Sequence, residues 1–270
     1  MPRNLQLLQH DRFQTLPHYL KRRQCVGLLT LCFYILSRYN DSMPIVKGND
    51  ININYEVKGQ GEPLVLILGL ASTIAENRWL IDSLAERYRV LTFDNRGAGL
   101  TGKPDTLYSI EMMANDTASL MKELSFNPAN IIGISMGGRI ALELVLQFPE
   151  MINKLILVST SAKVVHTWRR YFIFNILHKL SLFRDSQPHY AFVRQMEASG
   201  SYNATGRLSE INVPTLILHG KSDRIAQYYL AKEMQDDIKD SKMVTFRGGH
   251  LFFMLGGRRP FLEAVTAFLE

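Results

Sequence analysis

Ser135 lies between glycines in the segment Gly133-Ile134-Ser135-Met136-Gly137. This spacing is typical of a serine at a sharp turn between a strand and a helix, where a side chain at either glycine position would clash. The helix after the turn would direct its first amides, and the positive end of its dipole, towards the serine. Because a serine hydroxyl is a poor nucleophile at neutral pH, a base and a group that orients the base are also needed.

The base and the orienting acid are expected behind later strands of the chain. His250 is the only histidine that follows Ser135 and lies beyond the last predicted strand. Asp223 lies in a turn after the predicted strand 215–218. We therefore predict a triad in which Ser135 is the nucleophile, His250 the base and Asp223 the orienting acid. His219 ends a buried strand and precedes the acid, so we interpret it as structural.

Two backbone amides are needed to stabilise the negative charge that develops on an attacked carbonyl oxygen. Met136 follows the serine directly and is expected to supply one of them. The other is expected in the turn after the predicted strand 64–68, where Gly69 allows the chain to bend and Leu70 comes next. The amides of Leu70 and Met136 are therefore the predicted oxyanion hole.

The elements that must position these residues follow from the hydrophobic periodicity, which alternates short β-rich runs with longer helical runs from Met43 onward. Strands are predicted at 51–57, 64–68, 90–93, 131–134, 155–158, 215–218 and 243–246. Helices are predicted at 75–87, 109–124, 136–148 and 225–234, and Pro260 opens a last one. Such alternation indicates a parallel sheet covered on both faces, with ligands at the carboxyl ends of its strands.

Composition and cysteine usage exclude several classes of protein. The chain has 270 residues, of which 46% are hydrophobic and 10% aromatic, enough to bury a core, so it is neither disordered nor collagen-like. It has two cysteines, Cys25 and Cys32, and no Cys-x-x-Cys pair. We expect neither a disulfide framework nor a metal site, and no cofactor.

The positive net charge of +6 is concentrated in two segments. Residues 1–42 carry six basic and two acidic side chains, and residues 161–207 carry seven and two. The rest of the chain is more acidic than basic. A basic excess confined to two segments argues against a general nucleic-acid binder, so no nucleic-acid partner is expected.

Residues 1–42 form an N-terminal extension to the regular pattern of residues 43–270. A basic run, Lys21-Arg22-Arg23, precedes an apolar stretch from Cys25 to Leu36, which is too short to span a bilayer as a helix but matches the core of an export signal. Three interpretations stay open: a mis-assigned start with Met43 as the true one, a signal or anchor, and an ordered helix. The first implies a cytoplasmic protein, and the second an exported or membrane-associated one.

A second glycine motif, Gly97-Ala98-Gly99-Leu100-Thr101-Gly102, matches a dinucleotide-binding fingerprint. That fingerprint must open a helix directly, whereas Lys103-Pro104 keeps this chain in a loop. No acidic residue ends a second strand about 20 residues further on, so we do not expect nucleotide binding.

These segments together resemble the α/β-hydrolase family. The residues that carry the resemblance are Gly69-Leu70, the loop Asp94-Asn95-Arg96-Gly97-Ala98-Gly99, the segment around Ser135, the run from Val213-Pro214-Thr215 through His219-Gly220 to Asp223, and Gly248-Gly249-His250. The resemblance covers residues 43–270 and implies an α/β-hydrolase fold: an eight-stranded, mostly parallel sheet with helices on both faces and a short helical lid at 161–207. It also implies the same triad and a structural role for Arg96. Leu68 stands where many members have a histidine, which affects the shape of the oxyanion turn.

Among subfamilies, the chain looks similar to bacterial carboxylesterases related to anthracycline methylesterases. Serine at position 135 separates it from epoxide hydrolases and haloalkane dehalogenases, which use a carboxylate nucleophile. The resemblance predicts a serine hydrolase that cleaves carboxylic esters of apolar small molecules through an acyl-enzyme. Alternatives are hydrolysis of a thioester, a lactone or a carbon–carbon bond on the same triad, and a catalytically silent protein that retains the fold to bind a ligand.

The predicted lid contains an apolar face, because Trp168, Phe172 and Ile176 recur every four residues. We expect these side chains to line the substrate pocket above the catalytic cleft. Arg169 and Arg170 leave an alternative open, in which this segment or the N-terminal extension contacts an anionic membrane surface. The expected partner is a small-molecule ester, and the oligomeric state stays open.

Overall fold

The apolar runs form one eight-stranded sheet in the part of the chain that the computed structural model describes, residues 44–165, 187–254 and 256–270. Its strands are β1 (Ile45–Gly48), β2 (Ile51–Lys58), β3 (Pro63–Ile67), β4 (Arg89–Phe93), β5 (Ala129–Ile134), β6 (Ile152–Val158), β7 (Thr215–Gly220) and β8 (Ser241–Phe246). They lie in the order β1-β2-β4-β3-β5-β6-β7-β8. β2 is antiparallel to both its neighbours, and all other pairs are parallel. The predicted mostly parallel, eight-stranded sheet is confirmed.

Helices cover both faces of this sheet. Those of the described residues are α1 (Arg78–Ala85), α2 (Ile110–Glu123), α3 (Met136–Gln147), α4 (His189–Ser201), α5 (Tyr228–Asp237) and α6 (Arg258–Leu269). Side chains of α2, α3 and α5 pack in one core with Val65 and Ile67 of β3. Leu64 and Leu66, which alternate with them, are also fully buried and face the other way. Burial on both faces explains why this strand is continuously aliphatic.

Two elements in the amino-terminal half of the domain differ from the prediction. The periodicity does not predict β1, because four residues at a sheet edge with an exposed Ile45 carry too little pattern. The predicted helix 75–87 is a short 3-10 turn, Ala75–Asn77, followed by α1.

Helix α5 begins at Tyr228, three residues later than the predicted start at Ile225. The amides of Ile225 and Ala226 donate hydrogen bonds of 2.8 and 3.0 Å to Oδ1 of Asp223. Because these amides bind a side chain, the chain forms a turn around the carboxylate before it becomes helical.

The glycine motif at 97–102 forms a loop, as expected, and it surrounds a buried carboxylate. The amide of Gly97 donates to the carbonyl of Gly102 at 3.0 Å. Asp94, 2% exposed, accepts hydrogen bonds of 2.9 Å from the amides of Ile74 and Leu100. These glycines therefore belong to a loop that surrounds Asp94, and no helix begins at them.

Several expectations concern residues outside the described part of the chain. These are the N-terminal extension, residues 1–42, and the lid residues Trp168, Phe172 and Ile176. The described part of the predicted lid contains α4, which the periodicity does not predict, and a 3-10 helix at Thr205–Glu210. Among the helices of the described segments, none has both the length and the hydropathy to cross a membrane.

Candidate active site

Ser135 lies at the junction of β5 and α3, where the strand-turn-helix pattern predicts it. Its backbone has φ 54° and ψ −114°, a conformation that a residue with a side chain rarely adopts. The amide of Ser135 donates to the carbonyl of Val158 at 2.9 Å, and its carbonyl accepts from the amide of Gly138 at 3.0 Å. The neighbouring strand and the first turn of α3 thus hold the strained residue on both sides.

Three glycines allow this turn, one more than the sequence motif contains. A Cβ on Gly133 would lie 2.5 Å from the carbonyl oxygen of Gly137, and a Cβ on Gly137 would overlap the carbonyl oxygen of Ile67. A Cβ on Gly138 would lie 2.5 Å from Cβ of Thr160. The backbones of β3, β5 and α3 approach too closely for a side chain at Gly133 or Gly137, and the side chain of Thr160 occupies the space beside Gly138.

The structure brings the three predicted triad residues together in one chain of hydrogen bonds. Oγ of Ser135 lies 2.9 Å from Nε2 of His250, and Nδ1 of His250 lies 2.8 Å from Oδ2 of Asp223. Because a carboxylate only accepts hydrogen bonds, Nδ1 of His250 carries the proton and Nε2 is free to accept the serine proton. The arrangement can move a proton from the serine to the imidazole.

Asp223 follows β7 and is fixed through both carboxylate oxygens. Oδ2 accepts from His250, and Oδ1 accepts from the amides of Ile225 and Ala226. The side chain of Asp223 has no exposed surface, whereas that of His250 is 14% exposed. The acid is therefore rigid and buried, and the base reaches the surface of the site.

The two predicted oxyanion amides belong to segments next to Ser135. Met136 is the first residue of α3, so its amide has no acceptor within the helix. Leu70 follows Gly69, on which a Cβ would lie 3.5 Å from Cβ of Ser135. Gly69 to Ser72 form a tight turn, closed by a 3.3 Å hydrogen bond between the amide of Ser72 and the carbonyl of Gly69. The turn that carries Leu70 thus lies directly against the serine.

The described residues contain no cluster of three or more histidine, cysteine, aspartate or glutamate side chains that could hold a metal ion. A surface groove of about 660 Å³ lies between α1 and α6, lined among others by Arg87, Tyr88, Arg258 and Thr266. None of the triad residues lines this groove. The groove is therefore separate from the triad.

Comparison with known proteins agrees with this architecture. Residues 62–186 match the family model described as the alpha/beta hydrolase fold. The chain has the α/β-hydrolase fold.

Relatives of this α/β-hydrolase include enzymes named for different substrates. RutD of Azorhizobium caulinodans, provisionally named a carbamate hydrolase, is 26% identical over 78% of this chain and 92% of its own length. The 2-hydroxy-6-oxo-6-(2'-aminophenyl)hexa-2,4-dienoic acid hydrolase of Metapseudomonas resinovorans is 26% identical over 83% of this chain and 90% of its own. The esterase EaEST of Exiguobacterium antarcticum has the same fold, with a TM-score of 0.75, 24% identity, and coverage of 83% of this chain and 98% of its own.

His219 contacts the acid of this α/β-hydrolase, which its interpretation as a purely structural residue does not anticipate. Its Nε2 lies 2.7 Å from the carbonyl of Ala226 and 3.4 Å from Oδ2 of Asp223. The carbonyl can only accept, so Nε2 carries the proton. Burial lowers the pKa of His219, although the hydrogen bond to the Ala226 carbonyl and the negative charge of Asp223 both act to raise it. The ring is therefore a neutral donor beside the carboxylate.

Two hydroxyl groups after β6 hold the backbone of the serine and of the histidine. Oγ of Ser159 donates to the carbonyl of His250 at 2.7 Å, and Oγ1 of Thr160 donates to the carbonyl of Ser135 at 2.7 Å. Both residues are fully buried. Only their position at the end of a strand next to β5 could have suggested this role in the sequence.

Arg96, for which the resemblance implies a structural role, anchors the loop 94–99. The side chain of Arg96 has no exposed surface and donates to both oxygens of Asp116, at 2.8 and 2.7 Å. A further ion pair joins Arg96 to the exposed Asp50. These contacts agree with the structural role expected for Arg96.

Proposed function

We propose that this α/β-hydrolase cleaves carboxylic esters of apolar small molecules, with Ser135 as nucleophile, His250 as general base and Asp223 as orienting acid. The observation that supports this most strongly is the unbroken chain of hydrogen bonds from Oγ of Ser135 through His250 to Asp223, at 2.9 and 2.8 Å. This geometry lies within the range at which a base takes the proton of its nucleophile.

In the first half of the reaction, Oγ of Ser135 attacks the ester carbonyl carbon while its proton passes to Nε2 of His250. The carbonyl oxygen becomes an oxyanion, which the amides of Leu70 and Met136 stabilise. The intermediate then collapses, His250 returns the proton to the leaving alcohol, and an acyl-Ser135 remains. Asp223 stabilises the imidazolium throughout without taking its proton.

In the second half, a water molecule takes the place of the alcohol. His250 removes its proton, the hydroxide oxygen attacks the acyl carbon, and a second oxyanion forms at the same two amides. Collapse releases the carboxylic acid and returns the proton to Oγ of Ser135. The proposed cycle needs no metal or cofactor, because His250 carries every proton between Ser135, the leaving alcohol and the attacking water.

Hydrolysis of a different bond on the same triad is the second candidate. It is supported by the relatives, whose names concern a carbamate and a dienoic acid. An ester remains the first candidate because the sequence looks similar to bacterial carboxylesterases and because segment 165–183 contains many apolar residues. We propose that Trp168, Phe172 and Ile176 of this segment line the substrate pocket. A panel of nitrophenyl esters, a lactone and a thioester at equal concentration would rank these bonds by kcat/KM.

The deciding experiment compares Ser135→Ala with Ser222→Ala in turnover of 4-nitrophenyl butyrate. Ser222 is an exposed serine in the turn before Asp223, so it is a matched control close to the site. Loss of the nucleophile should lower kcat by about 10⁴-fold or more, while the control keeps the wild-type rate. A fluorophosphonate probe should label the wild type and Ser222→Ala but not Ser135→Ala. Equal ester turnover in all three proteins would contradict the proposal and favour a ligand-binding role.

We further propose that the protein acts in the cytoplasm on a small molecule, without a nucleic-acid partner. The competing assignment is export or membrane association through residues 1–42. Cell fractionation with an antibody against the folded domain tests both, since a product that starts at Met43 and stays in the cytosolic fraction would support the first. A full-length product in the membrane or exported fraction would contradict it.

A further inference from the structure

We infer that Gln195 is a positioning residue, which holds the oxyanion turn in its active form from the helix α4; this inference rests on the proposed function. Gln195 lies 124 positions after Ala71 and is fully buried. Its Oε1 accepts a 3.1 Å hydrogen bond from the amide of Ala71, the residue directly after Leu70. A side chain of α4 thus binds the turn that presents one of the two proposed oxyanion amides.

The conformation of Ala71 explains why the turn needs this contact. Ala71 has φ 59°, in the left-handed region that favours glycine, and it occupies the third position of the turn Gly69–Ser72. A turn of the same length with Ala71 at negative φ is less strained, but its central peptide, between Leu70 and Ala71, is reversed. The acceptor on Gln195 stabilises only the form in which the amide of Ala71 faces it. The contact therefore selects the strained form over the relaxed one.

The other end of the glutamine side chain is fixed to a rigid loop. Nε2 of Gln195 donates to the carbonyl of Arg96 at 2.7 Å, and the Arg96 side chain is held by Asp116. Nε2 of Gln187 donates to Oε1 of Gln195 at 2.8 Å. Two donors at Oε1 and one acceptor at Nε2 leave a single consistent orientation of the amide. Gln195 therefore connects the oxyanion turn to a loop that the Arg96–Asp116 ion pair holds in place.

Gln195 contacts the oxyanion turn and not the triad, so its effect on the reaction is indirect. Gly69, in the same turn, lies against Ser135. The Leu70 amide belongs to the peptide directly before the one that Gln195 holds, so release of the Leu70–Ala71 peptide is expected to displace the Leu70 amide relative to the attacked carbonyl. Loss of an oxyanion donor lowers kcat by about 10²- to 10³-fold, and a displaced donor should have a smaller effect. The effect should appear in kcat, because the amide binds the oxyanion more strongly than the ground-state carbonyl.

The experiment measures kcat and KM for 4-nitrophenyl butyrate in Gln195→Leu, Gln187→Leu and Ser201→Ala. We expect Gln195→Leu to lower kcat by about 10- to 100-fold with KM changed less than about threefold. Gln187→Leu removes a hydrogen bond to Gln195 but leaves the contact with Ala71, so kcat should stay near the wild-type value. Ser201→Ala is the matched control, because its hydroxyl binds only carbonyls of its own helix.

A double variant separates positioning from general destabilisation. Glycine adopts positive φ without strain, so Ala71→Gly in the Gln195→Leu background should restore most of the lost kcat. If Gln195→Leu does not fold, Gln195→Asn replaces it, since the shorter side chain keeps its amide but does not reach Ala71. A kcat within twofold of wild type in either folded variant, or no rescue by Ala71→Gly, would overturn the inference. If Ser135→Ala also retained the wild-type rate, the proposed function itself would have failed.

Discussion

Thr160 and Ser135 are joined by a 2.7 Å hydrogen bond from the threonine hydroxyl to the serine carbonyl, across two neighbouring strand ends. The same carbonyl accepts from the amide of Gly138 at 3.0 Å. Since Ser135 has a strained backbone, these two donors fix the peptide that follows it and, with it, the Met136 amide. This relationship between a buried threonine and the serine carbonyl leads to the first prediction.

Thr160→Val should lower kcat for 4-nitrophenyl butyrate by about tenfold and the free energy of unfolding by about 1 kcal/mol. The loss is moderate because the serine carbonyl keeps its hydrogen bond from Gly138. Thr160→Ser keeps the hydroxyl and should retain most of the activity. Ester kinetics and urea unfolding of the two variants check this, and equal kcat values would show that the hydroxyl does not position Ser135.

Asp223→Asn should lower kcat by about 10⁴-fold with little change in stability. Oδ1 accepts from two backbone amides, so the asparagine oxygen will take that place and its NH₂ group will face Nδ1 of His250. The imidazole must then accept at Nδ1 and carry its proton on Nε2, where it cannot take the proton of Ser135. Single-turnover kinetics test this, and the imidazole NMR signals would report the tautomer. A variant with near wild-type kcat would contradict the role of Asp223.

His219 should make the folded protein less stable below pH 6.5. Burial lowers its pKa from the ordinary value of 6.5, so the unfolded chain binds more protons than the folded one in this range. The associated stability is fully present above pH 6.5 and is lost as the pH falls towards the folded pKa. His219→Gln keeps a donor for the Ala226 carbonyl and should flatten this dependence. Urea unfolding between pH 8 and pH 5 compares the slopes, and identical slopes would count against the prediction.

Asp116→Asn should lower the free energy of unfolding by about 3 kcal/mol, because a neutral amide replaces the buried carboxylate beside Arg96 and the remaining ion pair is with the exposed Asp50. Arg96 has no exposed side-chain surface and Asp116 is only 3% exposed. Asp50→Asn is the matched control, since Asp50 is 64% exposed and an exposed pair contributes about 1 kcal/mol or less. Chemical denaturation should show a larger stability loss for Asp116→Asn than for Asp50→Asn. A larger loss for Asp50→Asn would refute the prediction.

Gly138→Ala should lower the free energy of unfolding by about 1 to 3 kcal/mol, because its Cβ would lie 2.5 Å from the side chain of Thr160. The collision involves a short β-branched residue that cannot move aside. Gly206→Ala provides the control, since nothing lies within 4 Å of a Cβ there, and its stability should change by less than about 0.5 kcal/mol. Thermal unfolding of the two proteins compares a crowded glycine with an open one.

The sheet, the serine turn and the chain order of the triad residues can be predicted from the amino-acid sequence. These features follow from local sequence patterns: aliphatic runs form buried strands, and glycines on both sides of Ser135 are typical of a tight turn between a strand and a helix. Ser135, Asp223 and His250 each come after a strand, and the carboxyl ends of these parallel strands lie at one edge of the sheet, so the three residues are expected to meet there. Elements with weak local patterns, such as β1 and α4, could not be predicted in this way.

The polar side chains that support the site are recognised from their contacts in the folded protein. Thr160 is 25 positions from Ser135, and Gln195 is 124 positions from Ala71, so no local pattern connects them. Asp223 delays the start of α5 by binding two amides, which propensity alone does not predict. A hydroxyl or an amide can bind any partner that the chain path brings within about 3 Å, and that path is set by the packing of the whole core. The candidate chemistry was therefore readable in the sequence, and the contacts that hold it in place were not.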